Sequence, residues 1–312
     1  MATRKILSID GGGIRGIIPA LILAEIEGRV GKPISKCFDL MAGTSTGALL
    51  ALGCAKKDSN GNAKYKASDL VKIYEDRGKD IFPRSFWKGV SSVAGLADET
   101  YPAKGLESVL NEYFGDDEIK SSLTKTLVTS YDIQQRTPLF LKSWDDKYSN
   151  VLMKDAARAT SAAPTYFEPA YISVGGSKRA LIDGGVFINS PAVSAFVEAK
   201  KIFPDDNDFI LISLGTGEHT RAIPYDEAKE WGKLEWVLPL LSCMFDGSAD
   251  AVNYQMNSLL GEKYYRFQAT LDKASDDMDN VTKANIEALK MAANFIISNQ
   301  SNEIGRVCEL LK

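Results

Sequence analysis

Short apolar runs alternate with stretches of helical period along this chain. Lys5–Ile9 is a compact run that reads as a first strand. Ile18, Leu21, Ile22, Ile26 and Val30 recur at helical spacing, which predicts an amphipathic helix over 18–30. The run Cys37-Phe38-Asp39-Leu40-Met41-Ala42 predicts a second strand, and Ala48-Leu49-Leu50-Ala51-Leu52 opens the helix after it. Thr126–Tyr131 and Leu139–Lys142 read as an adjacent pair of strands joined through Gln134-Gln135-Arg136-Thr137-Pro138. Arg179–Ile182 and Phe209–Leu214 are short apolar strands that each end in a Gly-rich turn, and Lys263–Leu271 is a candidate for another. The apolar stretch Trp231–Met244 reads as packed against the sheet. Near the end, Ile286, Leu289, Ala293 and Ile296 share one helical face, and Ile304, Val307 and Leu311 share another.

Strands that alternate with helices predict an α/β fold with a largely parallel sheet covered on both faces. There is no internal repeat, low-complexity tract or linker, so the expectation is one domain over 1–312, with a C-terminal helical segment at about 282–311. The least regular stretch is about 82–104.

Composition adds exclusions. The chain is 45% hydrophobic and 25% charged, an ordinary balance for a globular protein. A net charge of −4 gives no electrostatic case for a nucleic-acid polymer as partner. No stretch is long and apolar enough to span a bilayer. The first residues run directly into a strand and leave no room for a signal peptide, so the expected location is cytoplasmic. Cys37, Cys54, Cys243 and Cys308 are scattered without a Cys-x-x-Cys pair and read as reduced thiols.

The chemistry concentrates in three turns. Gly43-Thr44-Ser45-Thr46-Gly47 has the pattern of a nucleophile elbow, a sharp turn between an early strand and a helix that exposes a serine. Gly43 and Gly47 suit a turn where a Cβ would clash. A serine hydroxyl needs a base, and the chain contains one histidine, His219. The first strand ends in Asp10-Gly11-Gly12-Gly13-Ile14-Arg15-Gly16 and enters a helix. Gly11, Gly13 and Gly16 fit a dinucleotide fingerprint, but that motif wants an acidic residue at the end of the second strand, where this chain has the serine turn. The favoured reading is an oxyanion hole, with the N–H groups of Gly12 and Gly13 as donors and Arg15 as a fixed positive charge. The third turn is Asp183-Gly184-Gly185. All three are expected at the ends of parallel strands, where open α/β sheets place their sites.

In this order the three turns resemble the patatin-like phospholipases. The resemblance continues through Ala159-Thr160-Ser161-Ala162-Ala163-Pro164-Thr165-Tyr166-Phe167 and Ser213-Leu214-Gly215-Thr216-Gly217, and covers a core of about 4–265. It implies a three-layer α/β sandwich and a serine lipid acyl hydrolase that needs no metal or cofactor. Ser45 would be the nucleophile and Asp183 its base. Gly11, Gly12, Gly13 and Arg15 would form the oxyanion region with the N–H of Thr46, and Gly184 and Gly185 would shape the aspartate turn. An aspartate of ordinary pKa, roughly 3.9, is a poor base for serine, so burial beside Ile182, Val186 and Phe187 is expected to raise it. The implied substrates are acyl esters of membrane glycerophospholipids or lysophospholipids, met by peripheral association with the inner face of the membrane. The family also includes bacterial members activated by a second messenger, which makes a cyclic dinucleotide a candidate activator; no motif for it is visible. Two other readings share the scaffold: an acyltransferase using the same acyl-enzyme, and a non-catalytic storage or binding protein.

The order Ser45, Asp183, His219 also matches an α/β-hydrolase triad. The elbow comes after only one strand and Asp183 is available as a direct partner, so His219 reads as an exposed loop residue. Asp272, Asp276, Asp277 and Asp279 lack the glycine and glutamate of a calcium loop and read as a solvated turn. Phe82, Phe86 and Trp87, interleaved with Arg84 and Lys88, form a candidate membrane interface; the alternative is a core-packing loop.

Overall fold

The structure is a computed structural model that describes residues 2–83, 101–218 and 222–312. Its centre is an eight-stranded mixed sheet. The strands are β1 (Thr3–Ile9), β2 (Leu40–Gly43), β3 (Lys125–Asp132), β4 (Thr137–Lys142), β5 (Ala170–Val174), β6 (Ser177–Asp183), β7 (Asp208–Leu214) and β8 (Tyr264–Phe267). Their order is β5-β6-β3-β2-β1-β7-β8, with β4 also on β3. β3, β2, β1, β7 and β8 run parallel. β4 and β6 run antiparallel to β3, and β5 antiparallel to β6.

The two-residue period of the strands divides the buried side chains between two cores. Leu7, Ile9, Met41, Val128, Ile212 and Leu214 point into one. Ile6, Leu40, Ala42, Leu127, Phe209 and Leu211 point into the other. The first core is roofed by the helices Ile17–Val30, Thr46–Ala55, Met153–Thr160, Lys283–Asn299 and Ser301–Leu311. The second is roofed by Ala192–Ile202, through Ala195 and Ala199, and by Lys233–Leu260, through Val252 and Met256. Helices on both faces of a mostly parallel sheet make this a three-layer α/β fold. Among the described residues, no helix is long and apolar enough to cross a membrane.

Most predicted elements are present, with shifted edges. The first helix spans Ile17–Val30 and stops at Gly31, whose φ of 75° is left-handed. The second strand is shorter than the apolar run, because Cys37 and Phe38 belong to the turn before it. One strand is additional to those expected, and two expectations need correction. β5 was not foreseen, although Ala170, Ile172 and Val174 alternate inward and Gly175-Gly176, both at positive φ, turn the chain into β6. β6 is antiparallel to its neighbours rather than parallel. Trp231–Met244 is not packed on the sheet. The helix Lys233–Leu260 buries one face from Phe245 onward, through Ala249, Val252 and Met256, whereas Trp236, Val237, Leu240 and Met244 are 37–50% exposed.

Candidate active site

The topology of β3 explains how two distant turns meet. β4 occupies one edge of β3 from Leu127 to Asp132. On the other edge, β2 pairs along Lys125–Val128 and β6 pairs along Ser130–Asp132. β2 and β6 therefore run toward each other along that edge. Gly43, the last residue of β2, lies opposite Val128, and Asp183, the last of β6, lies opposite Ser130. Thr129 sits between the two ends. Its hydroxyl bonds the Thr44 hydroxyl at 2.7 Å, and Gly184 packs so closely on it that a Cβ there would fall 2.2 Å from Thr129 Oγ1.

At the elbow Ser45 has φ 54° and ψ −127°, a left-handed conformation rare for any residue but glycine. Such strain costs on the order of 1–3 kcal/mol and is held only where surrounding structure imposes it. Here the Ser45 N–H donates to Thr160 Oγ1 at 2.8 Å, and the next turn begins the helix Thr46–Ala55. Gly47 lets that helix start against β1: a Cβ would sit 2.2 Å from the Ile9 carbonyl oxygen.

The Ser45 hydroxyl lies close enough to the Asp183 carboxylate to favour its ionised form. Asp183 is buried, and burial raises its pKa to about 7; Ser45 and the bond from the Gly185 N–H, at 2.8 Å, oppose that rise. A carboxylate poised near neutrality is matched to proton transfer with a serine.

The glycine loop lies beside this pair. The Gly11 N–H donates to the Asn189 carbonyl at 3.1 Å, so Gly11 is not an oxyanion donor as expected; it lets the loop approach Ser45, whose Cβ would lie 3.2 Å from a Gly11 Cβ. The N–H groups of Gly12, Gly13 and Thr46 donate no hydrogen bond within the described residues. Arg15 also departs from expectation. It is buried behind the loop, where Nε donates to the Gly12 carbonyl at 3.3 Å and Nη1 to the Gly217 carbonyl at 3.4 Å. Burial lowers its pKa, while Asp246 and Asp276 act in the opposite sense. Upstream, Asp10 forms a buried 2.6 Å ion pair with Arg266 of β8.

Other expected positions resolve differently. The acidic segment keeps Asp272 and Asp277 exposed, as a solvated turn would, and is also tethered beside the site: the Ile14 N–H donates to the Met278 carbonyl at 2.8 Å, and Asp279 accepts the Tyr101 hydroxyl at 2.6 Å. Phe82 is buried, with ring centroids 5.7 Å from both Tyr101 and Phe167, so it faces the protein interior and not a bilayer. It helps line an apolar pocket with Leu49, Ile73, Ile81, Leu106 and Phe167. Ser45, Gly13 and Thr46 form part of the same wall. Phe86, Trp87 and His219 lie outside the described residues. Asn189 and Arg266 escaped the sequence reading, and Thr160 and Thr216 entered it only within the stretches that carry the resemblance, without a role, because each acts on a partner far away in the chain.

The patatin-like phospholipase family model matches residues 7–196, a span that includes the glycine loop, the elbow and the Asp183 turn. The chain belongs to the patatin-like phospholipase family. Its patatin-like relatives include Patatin-like protein 2 of Oryza sativa subsp. indica, 30% identical over 96% of this chain and 85% of the rice protein. Patatin-like protein 4 of Arabidopsis thaliana is 32% identical over 91% of this chain and 81% of its own length. Patatin-04/09 of Solanum tuberosum is 32% identical, with coverage of 94% and 83%. These matches extend the likeness past residue 196, through β7 and β8. Membership in the patatin-like family supports lipid acyl hydrolysis as the general activity.

Proposed function

We propose that this chain hydrolyses fatty-acyl esters of glycerophospholipids or lysophospholipids through a Ser45–Asp183 dyad. The observation that carries the proposal is a strained serine paired with a buried aspartate of raised pKa, on the wall of an apolar cavity. Asp183 takes the Ser45 proton as Oγ attacks the ester carbonyl carbon. The carbonyl π electrons move onto its oxygen, which the N–H groups of Gly12, Gly13 and Thr46, unbonded within the described residues, are available to bind. The tetrahedral intermediate collapses, the C–O bond to the alcohol breaks, and the alcohol leaves with the proton held by Asp183. A water then gives its proton to Asp183 and attacks the Ser45 acyl ester. The fatty acid leaves, and the proton returns to Oγ. The cavity's aliphatic and aromatic wall suits the acyl chain.

The test combines a fluorophosphonate probe with mass spectrometry of products from mixed phospholipid vesicles. Wild type is expected to be labelled on Ser45 and to release free fatty acid. Ser45→Ala and Asp183→Asn are expected to lose at least about a thousandfold in rate, the scale on which a nucleophile or its base acts. Release of fatty acid by Ser45→Ala at the wild-type rate would overturn the assignment.

A further inference from the structure

We infer that Thr216 is a positioning residue for the oxyanion hole, setting the direction of the Gly12 N–H; the inference rests on the reading of Ser45 as an acylating nucleophile. In a trans peptide the C=O and the following N–H point in opposite directions, so anchoring the oxygen aims the hydrogen. The Thr216 hydroxyl donates to the Gly11 carbonyl at 2.6 Å. That bond fixes the peptide joining Gly11 to Gly12 and turns the Gly12 N–H away from Thr216. The next peptide is fixed in the same manner. The Gly12 carbonyl accepts from the Arg15 N–H at 3.2 Å and from Arg15 Nε at 3.3 Å, which turns the Gly13 N–H away from them. Both N–H groups are free of partners within the described residues.

Thr216 can act as an anchor because its own turn is rigid. It is buried in the loop after β7. The Gly215 N–H donates to the Phe267 carbonyl at 2.8 Å, and the Gly217 N–H to Gln268 Oε1 at 2.9 Å. The Gly217 carbonyl receives Arg15 Nη1. One turn, held from β8 and the residues after it, thus supports both anchored peptides. The contact is close enough to exclude any side chain at Gly12, where a Cβ would fall 2.3 Å from Thr216 Oγ1. Removing the hydroxyl leaves a buried carbonyl unpaired and frees the peptide to rotate. A donor preorganised toward the developing charge is then lost, with little change in substrate binding.

The experiment compares wild type, Thr216→Val and Thr216→Ser with a soluble short-chain ester and with the fluorophosphonate probe, alongside melting temperatures. Thr216→Val is expected to lower kcat by about ten- to a hundredfold at nearly constant KM, and to slow probe labelling in parallel. Thr216→Ser keeps the hydroxyl and is expected to stay within about threefold of wild type. If Thr216→Val does not fold, Thr216→Ser and Thr216→Ala replace the comparison, since they differ only by the hydroxyl. Unchanged kcat and labelling in the folded hydroxyl-free variant, or equal losses with and without the hydroxyl, would overturn the inference. Labelling of wild type without fatty-acid release from phospholipid would instead refute the substrate reading and leave the Thr216 comparison intact. A wild type inert to the probe would remove both.

Discussion

Asp183 is a carboxyl held out of water at the end of β6, and two predictions follow from that placement. As the base, it must be ionised to accept the Ser45 proton. Its pKa of about 7 predicts that kcat/KM falls as pH drops through neutrality, with a single-proton limb near that value. A profile flat from pH 5 to 8 would contradict Asp183 as base. The second prediction concerns stability. A carboxyl whose folded pKa is raised contributes stability below its unfolded pKa, and that contribution is lost as pH rises through the folded value. Asp183→Asn should therefore melt higher than wild type at pH 8. The gap, on the order of a few kcal/mol, should open between about pH 4 and 7. Thermal melts across that range check it, and equal melting temperatures at pH 8 would argue against a buried charge. Gly47 yields a third prediction: Gly47→Ala brings a Cβ onto the Ile9 carbonyl, and overpacking of this kind costs about 1–3 kcal/mol and displaces the elbow. Urea unfolding together with probe labelling measures both effects. Ser45, Asp183 and Gly47 could be singled out by residue type and spacing. The commitments of Gly11, Arg15 and Phe82 could not, because a free N–H, a free guanidinium and an exposed ring look the same in a sequence as their bonded or buried counterparts.

At the scale of elements, the short strands and the helix period were readable, but their pairing was not. β6 has the apolar composition of a buried strand whichever way it runs, so nothing in Arg179–Ile182 distinguishes the antiparallel pairing from a parallel one. The direction decides the chemistry, because it is what brings Asp183 toward the end of β2 along one edge of β3. The helix Lys233–Leu260 teaches the same lesson from the other side. Its apolar first half looked like core and is exposed at Trp236, Val237, Leu240 and Met244, while Phe245, which opens its buried face, packs against Gly185 beside Asp183. We propose that this half meets the lipid surface, as a Trp- and Leu-rich helix end next to a lipid-cleaving site would. Trp236→Asp combined with Leu240→Asp should weaken association with phosphatidylcholine vesicles about tenfold or more, and slow phospholipid hydrolysis, while turnover of a soluble ester holds. Undiminished vesicle binding in a cosedimentation assay would rule this surface out.

At the scale of the whole molecule, the sequence by itself determined the α/β class, the two covered faces of the sheet and the three turns that carry the family likeness. Hydrophobic period and turn chemistry are local, so a chain displays them without folding. Only the tertiary structure decided which groups in those turns are available for chemistry. Asn189 takes the Gly11 N–H, Thr216 takes the Gly11 carbonyl, and Arg15 takes the Gly12 and Gly217 carbonyls. Such bonds join residues up to 205 positions apart. The same holds for the proton affinity of Asp183, which depends first on how much water the folded protein removes from it, with Ser45 and the Gly185 N–H acting in the opposite sense. Residue types set which reactions the turns can support; burial and long-range hydrogen bonds set which atoms are left to carry them out.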